Sequence, residues 1–69
     1  MRTHDAPDFV FNNHGSLWLV TPQHDDAHEH LAANVSEEAQ WFGKALVVEP
    51  RYAFGLAEAL HENGYTVEL

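Results

Sequence analysis

Two prolines set the rhythm of this chain. Pro22 and Pro50 each follow an apolar run short enough to be a strand, and each precedes a stretch with helical periodicity. Proline fits the first turn of a helix, where a missing N–H costs nothing, and it interrupts the ladder of a central strand. Read with that punctuation, Asp8-Phe9-Val10-Phe11 starts a strand with Phe9 and Phe11 on one face. Asn12-Asn13-His14-Gly15 marks a turn, because Asn and Gly tolerate positive φ. Ser16 to Val20 is the return strand, and its near-continuous apolar character suits a central position covered at least partly on both faces. Thr21-Pro22 then ends the strand and opens a helix, with Thr21 as its cap.

On that first helix, His28, Leu31, Ala32 and Val35 fall on one stripe. Ser36-Glu37-Glu38-Ala39 reads as a capped turn, and Trp41-Phe42-Gly43 leads into a third strand over 44–49. Pro50 opens a second helix, whose buried stripe is Ala53, Leu56, Ala57 and Leu60 and whose C-cap is Asn63-Gly64. Gly55 inside it costs about 1 kcal/mol relative to Ala unless it permits close packing on the sheet. Tyr65 to Leu69 is a short last strand. The expected fold class is α/β of the α+β kind: one small domain over 1–69, ordered β-β-α-β-α-β, a mixed sheet with both helices on one face. The last helix should make a right-handed crossover, and residues 1–7 form a loose segment.

The chain has no cysteine, so disulfides, thiolate nucleophiles and Cys-type zinc sites are excluded together. At 69 residues, a single core buries only about 60% of the unfolded surface. The longest apolar run, Ala45 to Val48, is far too short to span a membrane, and the N-terminus lacks a signal peptide's apolar core. The expectation is a soluble protein of the cytoplasm.

Charge narrows function further. Eleven acidic residues face three basic ones, Arg2, Lys44 and Arg51, for a formal net charge of −8. Such a surface repels nucleic acid and is steered towards basic surfaces, including those that normally hold nucleic acid. Asp25 and Glu29 are four residues apart, a rise of about 6 Å along a helix, with Asp26 beside them. Glu37 and Glu38 follow, and Glu58 and Glu62 repeat the four-residue spacing on the second helix. Rows of carboxylates like these offer acceptors to Arg and Lys as phosphates do. The seven are the candidate partner-binding residues; the alternative is that they form ordinary solvated helix faces. Six histidines make the charge pH-dependent, most of it vanishing below about pH 6.

Other chemistries are weaker. His24 and His28 have the four-residue spacing of two ligands on one helix, but no zinc-protease pattern completes them, so no metal or cofactor is assigned. A histidine-based metal-binding regulatory domain stays a third reading. No phosphate loop or activated nucleophile is recognisable, so no enzyme is expected. Trp18, Trp41, Phe42 and Tyr52 have no basic groove beside them; core packing accounts for them better than base stacking.

The strings Asp8-Phe9-Val10-Phe11-Asn12-Asn13-His14-Gly15-Ser16, Gln40-Trp41-Phe42-Gly43 and Ala45-Leu46-Val47-Val48-Glu49-Pro50-Arg51-Tyr52 resemble a group of short, mostly uncharacterised bacterial and mobile-element proteins. Within that group the chain resembles the small acidic anti-CRISPR proteins that phages direct against type I systems, type I-C in particular. The resemblance implies a stoichiometric inhibitor that binds the Cascade surveillance complex in the bacterial cytoplasm and blocks its engagement of target DNA, acting as a DNA mimic. It carries over no binding residue, so the seven acidic positions rest on charge alone. An acidic adaptor or antitoxin-like protein capping another basic partner is the alternative. In either case the partner is a protein, with no direct nucleic-acid or membrane contact, and a monomer is favoured.

Overall fold

The computed structural model describes residues 6–69. The element order is β1 (Phe9–Asn13), β2 (Trp18–Pro22), α1 (Asp25–Ala33), β3 (Trp41–Phe42), β4 (Ala45–Val48), α2 (Pro50–Glu62) and β5 (Val67–Glu68). The strands form one five-stranded sheet in the order β3-β4-β2-β1-β5. All pairs are antiparallel except β1 with β5. The sheet is therefore mixed, as the alternation of strands and helices implied.

Register decides which side chains share a face. Phe9 and Phe11 of β1 oppose Pro22 and Val20 of β2, and Trp18 and Val20 oppose Val48 and Leu46 of β4. These residues meet Ala27 and Leu31 of α1 and Ala53, Ala57 and Leu60 of α2 in one core, so both helices lie on the same face. Phe9, Val20 and Leu31 are its largest fully buried side chains. Edge-to-face aromatic pairs extend it outward: Phe9 with Tyr65 at 5.3 Å, Phe11 with Trp18 at 6.5 Å, Trp18 with Phe54 at 5.6 Å. Each such pair contributes about 0.5–1.5 kcal/mol beyond its buried area.

Several local expectations are corrected. Thr21 and Pro22 are not a helix start; they pair with Val10 and Phe9 as the end of β2. The alternation of ladder bonds turns Pro22's nitrogen towards the β4 side, beyond the point where β4 begins, so the proline deletes no bond. The first hairpin turns later than expected, because β1 runs through Asn13. His14 N–H donates to the Leu17 carbonyl, Gly15 N–H donates to Asn13 Oδ1, and Gly15 takes φ +84°. On α1 the buried pair is Ala27 and Leu31, with Ala32 exposed and His28 half-buried; Val35, expected on the same stripe, lies beyond the helix end and is half-buried. Trp41 and Phe42 form an additional strand, β3, that makes a tight hairpin with β4 around Gly43 at φ +63°. The order is thus β-β-α-β-β-α-β.

The second helix follows the sequence closely. Pro50 opens it, and Ala53, Ala57 and Leu60 are buried with Leu56 half-buried. At its end Tyr65 N–H donates to the Leu60 carbonyl, Gly64 N–H donates to His61, and Gly64 takes φ +91°. α2 links β4 to β5, which are parallel to one another across β2 and β1. Gly55 does not pack against the sheet: it is exposed, and an added Cβ would meet nothing within 4 Å. Phe42 and Tyr52 are surface residues rather than core, 71% and 58% exposed. The loose segment expected over 1–7 lies, for residues 1–5, outside the described residues.

Candidate functional site

The N-terminus of α1 is built by two residues far apart in sequence. His24 has extended backbone and caps the helix, its Nδ1 accepting from Ala27 N–H at 3.3 Å. Its Nε2 lies 2.8 Å from Oδ1 of Asp8. Because Nδ1 accepts, Nε2 carries the proton and donates it to the carboxylate. The other oxygen of Asp8 accepts from Thr66 N–H at 2.8 Å, and the Asp8 carbonyl accepts from Gln23 N–H at 2.8 Å. Asp8 therefore ties β1, the entry to β5 and the cap of α1 into one unit.

That unit presents Asp25 and Asp26 as the first turn of α1, where the helix dipole favours negative charge. Glu29 follows one turn later, and all three are exposed. Asp26 also reaches Tyr65, just beyond α2. Tyr65 is half-buried, and its phenol is held above its usual 10.0 by desolvation first, then by the charges of Asp26 and Asp8 and a hydrogen bond to Asp26. The His30 ring packs on the same tyrosine, with centroids 4.7 Å apart.

The course of the two helices along the sheet fixes where their charges lie. α1 starts beside Phe9 and the entry to β5, and α2 ends at that same end of the sheet. Asp25, Asp26 and Glu62 thereby share one end, with Glu58 a turn back beside Val67 and Leu69. Glu37 and Glu38 lie apart from these, Glu37 bordering a hollow with His28, Trp41 and Gly43 at the β3 edge. They sit in the turn after α1, where Ser36 Oγ accepts from Glu38 N–H at 3.0 Å, and Glu38 borders a cleft with Ser16, Arg51 and Tyr52. All seven candidate carboxylates are exposed, but those of the two helices and those of the turn after α1 form separate groups rather than one row.

Asp5 and Arg2 lie outside the described residues, which leaves ten carboxylates against two cations. Arg51 is engaged locally, its Nε 3.0 Å from Glu49 Oε1 and its guanidinium 5.0 Å from the centre of the Tyr52 ring. Lys44, in the β3–β4 turn, borders a small cleft with Asp25, His24 and His28. Neither neutralises α2, where Glu62 stands in the last turn against the helix dipole. Helix stability does not account for a carboxylate in that position.

The histidines of α1 have structural partners. His24 uses both ring nitrogens, His28 packs 5.5 Å from the Trp41 ring, and His30 lies against Tyr65. Among the described residues no three His, Cys, Asp or Glu side chains are grouped to hold a metal ion. No helix there is long and apolar enough to cross a membrane.

Sequence reasoning missed Asp8 and Tyr65, and it read His24 only as a possible metal ligand, not as the cap of α1. One signal was available for His24: the pair Asp25-Asp26 suits a first helical turn, which places the cap at residue 24 rather than 21. Asp8 and Tyr65 carry no local signal, since their partners are 16 and about 40 residues away. Comparisons of the chain with protein-family models, curated proteins and solved structures return no match.

Proposed function

We propose that the protein is a stoichiometric binder whose acidic helical layer occupies a basic, DNA-binding surface on a protein partner. One observation carries this reading: Asp25, Asp26 and Glu62 lie exposed at the same end of the sheet, with Glu29 and Glu58 one turn away along the same two helices. Carboxylates held on helices offer a partner's Arg and Lys acceptors at intervals of about 6 Å, without the ordering cost a flexible acidic tail would incur.

The resemblance to small acidic anti-CRISPR proteins supplies the partner. It is a subunit of a type I Cascade complex, type I-C in particular, whose lysines and arginines would otherwise hold target DNA. Binding then blocks DNA engagement, and the protein catalyses nothing.

The test is to mix purified protein with type I-C Cascade at moderate salt and measure co-elution together with target-DNA binding. Co-elution with loss of DNA binding is the expected result. Co-elution with DNA binding intact overturns the mimicry and points to a later step. Absence of a complex overturns the partner and leaves the alternative of an acidic adaptor or antitoxin-like protein capping a different basic partner.

A further inference from the structure

The two helices cover only one face of the sheet. On the open face the register places Val10 and Asn12 of β1, Leu19 and Thr21 of β2, Val47 of β4, Phe42 of β3 and Glu68 of β5, so its apolar part lies towards β4 and β3. Runs such as Trp18-Leu19-Val20 and Ala45 to Val48 belong to sheets covered on both faces. Here Leu19 and Val47 stay half-buried, and the Phe42 ring stands out from the β3–β4 hairpin. His14, Leu17, Leu19, Phe42 and Val47 line one shallow hollow of about 380 Å³.

We propose that a second copy of this chain docks on the open face, sheet against sheet, as a two-fold symmetric dimer. Charge is the first argument, although a net charge of −8 per chain favours a monomer at first sight. The strands carry one carboxylate, Glu68, which shares the open face at the β5 edge, the edge opposite Phe42; the seven candidate carboxylates sit on α1, α2 and the turn after α1. Two sheets pack about 10 Å apart and each helical layer lies beyond its own sheet, so the acidic layers end up roughly 30 Å apart, well outside a screening length of about 8 Å. Docking centred on Leu19, Val47 and Phe42 leaves both Glu68 side chains at the rim, so repulsion opposes this arrangement least.

Shape is the second argument. Phe42 projects beside a hollow walled by Leu17, Leu19 and Val47 on the same face. A two-fold operator places each ring over the other chain's hollow, as an isologous interface requires. A basic DNA-binding surface, polar and positively charged, matches the acidic helices and not this face. The exposed Phe54 and Leu69 lie along the α2–β5 side with Glu58 among them, where a second copy would oppose carboxylates.

Area sets the strength. The 18 strand residues, at about 3.4 Å by 4.8 Å each, present roughly 300 Å² per chain, well under half of what a standard interface buries on each partner. The dimer is accordingly weak and reversible. It turns the two acidic layers outward in opposite directions, and it does not depend on the identity of the charged partner.

Sedimentation of the protein alone from about 10 μM to about 1 mM, at about 0.15 M salt, tests this. The mean mass should climb from monomer towards dimer across that range. Phe42→Ser should stay monomeric throughout with an unchanged circular dichroism spectrum; the ring is exposed, so its loss leaves the fold intact. Amide shifts that change on dilution should centre on Leu19, Phe42 and Val47. A wild-type monomer at every concentration overturns the proposal. So does a dimer that Phe42→Ser leaves unchanged, or dilution shifts confined to the helices.

Discussion

The imidazole of His24 joins the carboxylate of Asp8 at 2.8 Å, and the two close the acidic end of the molecule from opposite sides. His24 caps α1 while Asp8 holds the entry to β5 through Thr66. His24→Ala should cost about 1 kcal/mol, the usual value of a helix cap. His24→Ser, which can cap α1 without reaching Asp8, should recover part of it. Asp8→Ala orphans the Thr66 N–H and the imidazole together and should cost about 2 kcal/mol. Urea denaturation of the three variants gives the order; an Asp8→Ala protein as stable as wild type would remove Asp8 from this role.

Gly55 offers the opposite sign. It lies inside α2 with open space where a Cβ would go. Gly55→Ala should therefore stabilise the fold by about 0.5–1 kcal/mol, through a less flexible unfolded chain and better helix propensity. A rise in the urea midpoint at unchanged m-value is the expected readout. A fall would mean that an unseen partner contact occupies the space.

Tyr65 carries the pH dependence. Its folded-state phenol titrates above the ordinary 10.0, because of desolvation, the charges of Asp26 and Asp8 and the hydrogen bond to Asp26. The unfolded chain releases this proton at 10.0 while the folded chain still holds it. The contribution to stability is therefore full below pH 10 and is lost as pH rises through the folded value. Ultraviolet titration of a Tyr52→Phe protein isolates this phenol. Asp26→Asn should bring it back towards 10.0, and an unmoved titration would discard the Asp26 contact.

The two acidic groups should be separable in binding. Asp25→Lys, Asp26→Lys and Glu29→Lys together reverse α1, and Glu37→Lys with Glu38→Lys reverse the turn that follows it. If the end shared by α1 and α2 is the contact, the triple variant should abolish partner binding and the double variant should weaken it only slightly. The salt dependence of binding should flatten in the same order. Equal losses from both sets would indicate a contact spread over the whole helical layer.

The acidic character of the surface and the course of α2 were determined locally. Pro50, the Ala53–Ala57–Leu60 stripe and Asn63-Gly64 act within a few residues of one another, so their reading holds in the structure. The same reasoning misplaced the start of α1. Pro22 looks like a helix opener, but strand β1 is available to pair with it, and the cap passes to His24 because Asp8 sits within reach. β3 was invisible for a similar reason: Trp41-Phe42 is too short to signal a strand and becomes one only by pairing with β4. The carboxylates could be counted along the chain, but their grouping could not. That grouping depends on where the two helices start and end on the sheet and on both sharing one of its faces. Periodicity and capping act over one turn or one strand, so the sequence determined the elements and the sign of the charge. Long-range pairing alone decided which charges meet and which apolar face was left open.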